Sequence, residues 1–192
     1  MIMKSRLLPV LALSLNGSLC GCSTTSGDSL ATRPAGAADD GLQMSLSILP
    51  SGSRTGPALE VAFQNVGEQD FCLNLGVMLA NGKVQLPTEI HLTLADGSGK
   101  SRELDFALPG VAGRLDDYEV PLRAGSSYTL KLQLDQFISP ATGEFEPARV
   151  PGRHEISAWF QGKGTDGYLM PDVKLMNFWK GRVQSNVILI EK

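Results

Sequence analysis

Strict alternation of apolar and polar residues runs through the chain from Leu42 onward. Leu42, Met44, Leu46 and Ile48 are separated by Gln43, Ser45 and Ser47, and Leu59, Val61 and Phe63 repeat the pattern after Pro50-Ser51-Gly52. Side chains on a β-strand point alternately to opposite faces, so a period of two describes a strand with one face buried and one wet. Phe71 to Leu75 gives a third such strand, and Ile90, Leu92 and Leu94 a fourth, with His91 and Thr93 on the opposite face. Asp96-Gly97-Ser98-Gly99 then turns the chain, so residues 90–106 read as a hairpin. Val120 and Leu122, then Tyr128, Leu130, Leu132 and Leu134, supply two more strands across Ala124-Gly125-Ser126. Ile156, Ala158 and Phe160 alternate after Pro151-Gly152, and residues 183–190 form the last strand.

No helical period is sustained for three turns. The 21 Gly and 11 Pro in 192 residues favour many turns between short strands. About eight or nine short strands at regular spacing predict an all-β fold, a single antiparallel β-sandwich over residues 42–192.

The N-terminus follows different rules. Lys4 and Arg6 precede a compact apolar stretch from Leu7 to Leu15, the layout of a cleavable export signal and too short to span a bilayer. Leu19-Cys20-Gly21-Cys22 follows. This resembles the lipobox of bacterial lipoproteins, with an aliphatic residue at −3, small residues before the cut, and Cys22 as acceptor. Cys20 fits less well, because Leu19 would then occupy the position where a small side chain is wanted. The resemblance implies residues 1–21 as a removed signal peptide and acylation of Cys22 by diacylglycerol and a further chain such as palmitate. It also implies attachment to the lipid bilayer through buried alkyl chains at about 0.8 kcal/mol per CH₂. Ser23 after the acceptor, in place of Asp, implies the outer membrane, facing the periplasm or the surface. Residues 22–41 are mostly Ser, Thr, Gly, Ala and Asp, with one Pro and little to bury, and read as a disordered tether. Such a tether would hold the domain roughly 25 Å from the lipid.

Without Lys4 and Arg6, 15 basic side chains face 20 acidic ones, a net charge of −5. That balance, with no block of Lys and Arg, argues against a nucleic-acid partner. Removal of the signal leaves Cys22 and Cys72, and with Cys22 acylated no internal disulfide can form. Cys72 reads as a small buried hydrophobe.

Within the sandwich, Pro151-Gly152-Arg153-His154-Glu155-Ile156-Ser157-Ala158 and the run Trp179-Lys180-Gly181-Arg182-Val183-Gln184-Ser185-Asn186 resemble closing strands of immunoglobulin-like and fibronectin-like domains. In these the pattern reads PG-x-Y-x-I-x-A and W-x-G-x-V-x-S-N, and His154 stands at the tyrosine position. The likeness implies an immunoglobulin-like fold and no activity. A narrower likeness, carried by Asn65, residues 125–128 and Pro151-Gly152, is to a bacterial proteinase-inhibitor domain of the same layout.

Chemistry-bearing motifs are few. His91 and His154 are the two histidines, and neither HExxH nor CxxC occurs, so no metal or other cofactor is implied. Asp96-Gly97-Ser98-Gly99-Lys100-Ser101 lacks the first glycine of a phosphate loop and is followed by a strand, so it reads as a hairpin turn. Asp116 and Asp117, near Glu119, read as a solvated turn. The connection over residues 162–181 is longer than packing requires and carries Tyr168, Met170, Phe178 and Trp179, a composition suited to an aromatic anchor for a protein or glycan. The competing reading places Leu175, Phe178 and Trp179 as caps on the open end of the core.

The sequence therefore predicts a membrane-anchored envelope lipoprotein that acts as a non-enzymatic binding or structural module, with an envelope protein or glycan as partner. A proteinase inhibitor is the alternative, and a hydrolase with dispersed carboxylates the second.

Overall fold

The computed structural model describes residues 35–49, 57–143, 152–163 and 177–191. Twelve strands follow in order: β1 (Leu42–Leu49), β2 (Ala58–Asn65), β3 (Phe71–Leu79), β4 (Gln85–Leu86), β5 (Ile90–Asp96), β6 (Ser101–Phe106), β7 (Leu115–Leu122), β8 (Ser127–Gln133), β9 (Phe137–Ile138), β10 (Arg153–Lys163), β11 (Lys180–Gln184) and β12 (Ile188–Glu191). A 3₁₀ turn, Leu134–Gln136, links β8 to β9. The described residues form an all-β sandwich of antiparallel sheets, as the alternation predicts.

The sheets run β1-β2-β8, β4-β3-β7 and β11-β10-β5-β6-β9. β10 is the long central strand of the third. One edge pairs with β5 from His154↔Asp96 to Phe160↔Ile90. Its other edge is shared between β12, through Arg153–Ile156, and β11, through Trp159–Lys163. The single last strand expected over residues 183–190 is thus two, broken at Ser185. The expected turn at Asp116 and Asp117 is part of β7.

Core positions follow the alternation. Leu42, Met44 and Leu46 of β1, Leu59, Val61 and Phe63 of β2, and Ile90, Leu92, Ala158 and Phe160 of the facing sheet are buried. The rings of Phe63 and Phe160 meet edge-on at 5.2 Å between centroids, which ties the two layers together at the middle of the core.

β2 and β3, and likewise β7 and β8, form one ribbon with a corner. The β2–β8 ladder ends at Gln64↔Ser127 and the β3–β7 ladder resumes at Phe71↔Leu122. Fully buried Asn65 fills the gap. Its Nδ2 donates to the carbonyls of Gln69 (2.8 Å) and Leu122 (3.1 Å), and its Oδ1 accepts from Gly67 N–H (3.0 Å). Strands that pass between sheets at such a bend leave backbone groups without ladder partners, and a buried amide that donates twice and accepts once answers that need.

Residues 35–40, expected within the tether, are part of the sandwich. Gly36 N–H donates to Met44 O at 2.9 Å, and Asp39 and Leu42 exchange two backbone bonds of 2.8 Å. The segment folds back along the open edge of β1. A Cβ on Gly36 would lie 1.8 Å from the carbonyl oxygen of Gln184, so only glycine fits there. The chain therefore enters the domain alongside β1, travelling from its Leu49 end toward its Leu42 end.

Candidate functional site

The fold-back delivers Asp40 and Gly41 to one end of the sandwich. The corner between β2 and β3 brings Gly67, Glu68, Gln69 and Phe71 to the same end, and the lead into β11 brings residues 177–180. Together these three segments line a concavity of about 480 Å³. It is held open by backbone bonds between its walls. Cys72 N–H donates to Asn177 O (2.8 Å), Trp179 N–H donates to Cys72 O (3.0 Å), and Val66 N–H donates to Gly41 O (2.8 Å).

Of the four residues expected to form a partner-binding loop, Tyr168 and Met170 lie outside the described residues, as do Cys22 and the signal segment. Phe178 and Trp179 line the concavity with different exposures. Phe178 is half-buried and presents part of its ring. Trp179 is 4% exposed. Its indole stacks 5.7 Å from Phe160, and its Nε1 donates to Asp40 O at 3.1 Å. Trp179 thus forms the floor while its ring belongs to the core, and Phe178 offers the accessible aromatic surface beside Phe71.

The motif containing Trp179 is architectural from end to end. Gly162 and Gly181 pair across β10 and β11, and a Cβ on Gly162 would lie 2.5 Å from Cε3 of Trp179. Val183 is buried in the core. Ser185 Oγ accepts from Ala158 N–H at 2.8 Å, where the last strand breaks. Asn186 bonds the backbone of Leu46 twice. These spacings were readable in the sequence, and their partners were not.

Charge at the concavity is mostly negative. Asp40 and Glu68 are exposed on its rim, with Lys180 the lining cation. Among the described residues, neither carboxylate has a cation within ion-pair distance. The nearby Asp70 carboxylate is occupied, accepting Ala124 N–H at 2.8 Å.

Other candidate chemistry resolves into structure. Cys72 is fully buried, and burial, then the Glu119 charge, pushes its thiol up to about 11, so it is not a nucleophile at neutral pH. Glu119 is raised as well, first by partial burial and then by Asp117. Asp116 pairs with Arg114 at 2.9 Å. The glycine-rich turn at residues 97–100 joins β5 to β6. There Asp96 Oδ1 accepts from Ser98 Oγ (2.5 Å), Ser98 N–H (2.9 Å) and Lys100 N–H (3.1 Å), which holds its carboxyl below the usual range, led by the Ser98 hydroxyl. No group of three or more His, Cys, Asp or Glu side chains is placed to hold a metal ion among the described residues.

One arrangement escaped the sequence reading. On the outer face of the β10 sheet, Trp159 has His91 stacked against its ring at 3.9 Å and the Arg182 guanidinium 3.9 Å from its centroid. β5 and β11 flank β10, so the two neighbours cover opposite ring faces. His91 Nδ1 in turn lies 2.7 Å from Asp105 Oδ1 on β6. Alternation alone puts Trp159 and His91 on wet faces. Only the register Trp159↔His91 makes them neighbours. With both faces of Trp159 covered, the row has no free ring on which a ligand would stack.

No protein-family model matches the chain, and no curated protein matches it. Among solved structures, the provisionally named ApaA protein of Bordetella pertussis is similar over 83% of this chain and 95% of that chain, at 12% identity and a TM-score of 0.34. A likeness of that size carries neither fold nor function to this chain.

Proposed function

We propose that this protein is a membrane-tethered, non-enzymatic binding module of the bacterial envelope, and that the concavity bounded by Asp40, Glu68 and Phe178 is its contact surface. The observation that carries the binding half is the pairing of a half-buried Phe178 with two carboxylates that have no cation partner among the described residues, on a backbone-bonded frame. Preorganised aromatic surface with polar groups at its rim is the composition of protein-recognition sites.

Support for the tethered half comes from the ordered charge, apolar core and lipobox ahead of Cys22.

Mass spectrometry of the N-terminal peptide from envelope-purified protein tests the anchor. An acylated Cys22 at the mature N-terminus is expected, and an unmodified Cys22 or retention of residues 1–21 overturns it. The binding half is tested by crosslinking in intact cells with wild type and Phe178→Ser. Loss of defined crosslinked complexes in the folded variant is expected, and an unchanged set of complexes overturns the site.

A further inference from the structure

We propose that the concavity at the Asp40 end receives an arginine side chain from an extended segment of a protein partner, a reading that rests on the binding function assigned to this surface. The half-buried Phe178 supplies the accessible ring, Phe71 and Trp179 of the same lining being buried, and the rim carries Asp40 and Glu68. A guanidinium is planar, weakly hydrated for a cation and always charged. It stacks on a ring face while its N–H groups reach carboxylates in the plane of the fork, so a concavity with one accessible ring and carboxylates at its edge suits both sides of its chemistry.

Two features of the site favour this occupant over an anion, a glycan or an apolar plug. Asp40 and Glu68 are free of cations within ion-pair distance among the described residues, so the partner's charge does not have to displace an internal one. A volume of about 480 Å³ admits one long side chain with its flanking backbone and is generous for a single apolar side chain. An aliphatic occupant would leave Asp40 and Glu68 partly desolvated without a partner, which is unfavourable.

The test uses the full folded chain and three blocked tripeptides, Gly-Arg-Gly, Gly-Lys-Gly and Gly-Glu-Gly, followed by amide chemical shifts. The arginine peptide is expected to move Gly41, Gly67 and Phe178, the lysine peptide to bind about tenfold more weakly for lack of stacking and bidentate contact, and the glutamate peptide to leave them unmoved. Asp40→Asn with Glu68→Gln, both at exposed positions, is expected to abolish the arginine shifts while the remaining spectrum stays that of the wild type. Shifts that persist in this double variant, or that appear equally at Asp116, Asp117 and Glu119 on β7, overturn the proposal in favour of general charge attraction. Concentration-dependent shifts of Gly41, Gly67 and Phe178 without peptide overturn it in favour of a second copy of this chain. If the arginine peptide fails while crosslinking through Phe178 in cells succeeds, the binding surface stands and the arginine specificity falls.

Discussion

The side-chain amide of Asn186 brackets the backbone of Leu46, its Oδ1 accepting Leu46 N–H at 2.9 Å and its Nδ2 donating to Leu46 O at 3.0 Å. Asn186 acts as a one-residue strand on the open edge of β1, continuing the line of pairing begun by Gly36 on Met44. Edge strands expose a row of unpaired backbone groups, and an amide that both donates and accepts closes one repeat of that row. Asn186→Ala leaves both groups of Leu46 partly buried and unbonded, so urea denaturation should show a loss of about 2 kcal/mol with an unchanged slope. An unchanged midpoint would show that water replaces the amide without loss.

Gly162 packs against Trp179 so closely that a methyl group would meet Cε3 at 2.5 Å and the Trp179 carbonyl oxygen at 2.6 Å. One of the two obstacles is backbone, so rotation of the indole alone cannot relieve it. Gly162→Ala should therefore cost about 2 kcal/mol and move the indole of Trp179, read as an altered tryptophan emission in the folded state. Native emission and stability in this variant would contradict the packing described.

Cys72 holds its proton more tightly folded than unfolded, at about 11 against an ordinary 9.0, because the thiolate would be buried beside Glu119. Above pH 9 the unfolded chain loses this proton first, so the contribution is fully present below pH 9 and is lost as pH rises toward 11. Comparison with Cys72→Ala should show a steeper alkaline loss in the wild type, on the order of 2 kcal/mol across that window. A thiol reagent should react with Cys72 at neutral pH only after denaturation, and rapid labelling of the native chain would contradict the burial.

The hydroxyls of Tyr118 and Tyr128 meet at 2.6 Å, and Tyr118 also donates toward Gln85 Oε1 at 3.0 Å. Burial, then the Tyr128 hydroxyl, raises the Tyr118 phenol well above the usual tyrosine range. Tyr118→Phe removes both bonds and should lower stability by about 1 kcal/mol. Spectrophotometric titration of the wild type should show one tyrosine that ionises only with alkaline unfolding.

The strands were legible wherever one face meets the core and the other meets water. β1, with Leu42, Met44 and Leu46 buried between partly exposed neighbours, follows its sequence pattern as far as Leu46, while Ile48, expected on the same buried face, is exposed. Residues 35–40 were illegible because they bury almost no side chain. Their place is set by backbone bonds to β1 and by the missing Cβ of Gly36, neither of which alters hydropathy. The break at Ser185 was hidden for a related reason. Val183 and Ile190 are buried on either side, and the strand is interrupted by hydrogen bonds that Ser185 and Asn186 make to distant strands. Aromatic content singled out the neighbourhood of Phe178 and Trp179, but the carboxylates that share their concavity come from Asp40 and Glu68, over a hundred residues earlier in sequence, and were joined to it only by the fold.

Site-specific photo-crosslinking in intact cells tests the binding account most directly, with a photoreactive amino acid at position 178 in one strain and at position 93, on the outer sheet face, in another. One or a few discrete adducts are expected from position 178, vanishing when Asp40→Asn and Glu68→Gln are added, and none of those adducts from position 93. Identical adducts from both positions, or no adduct from position 178 in a protein confirmed to be anchored through Cys22, would contradict it.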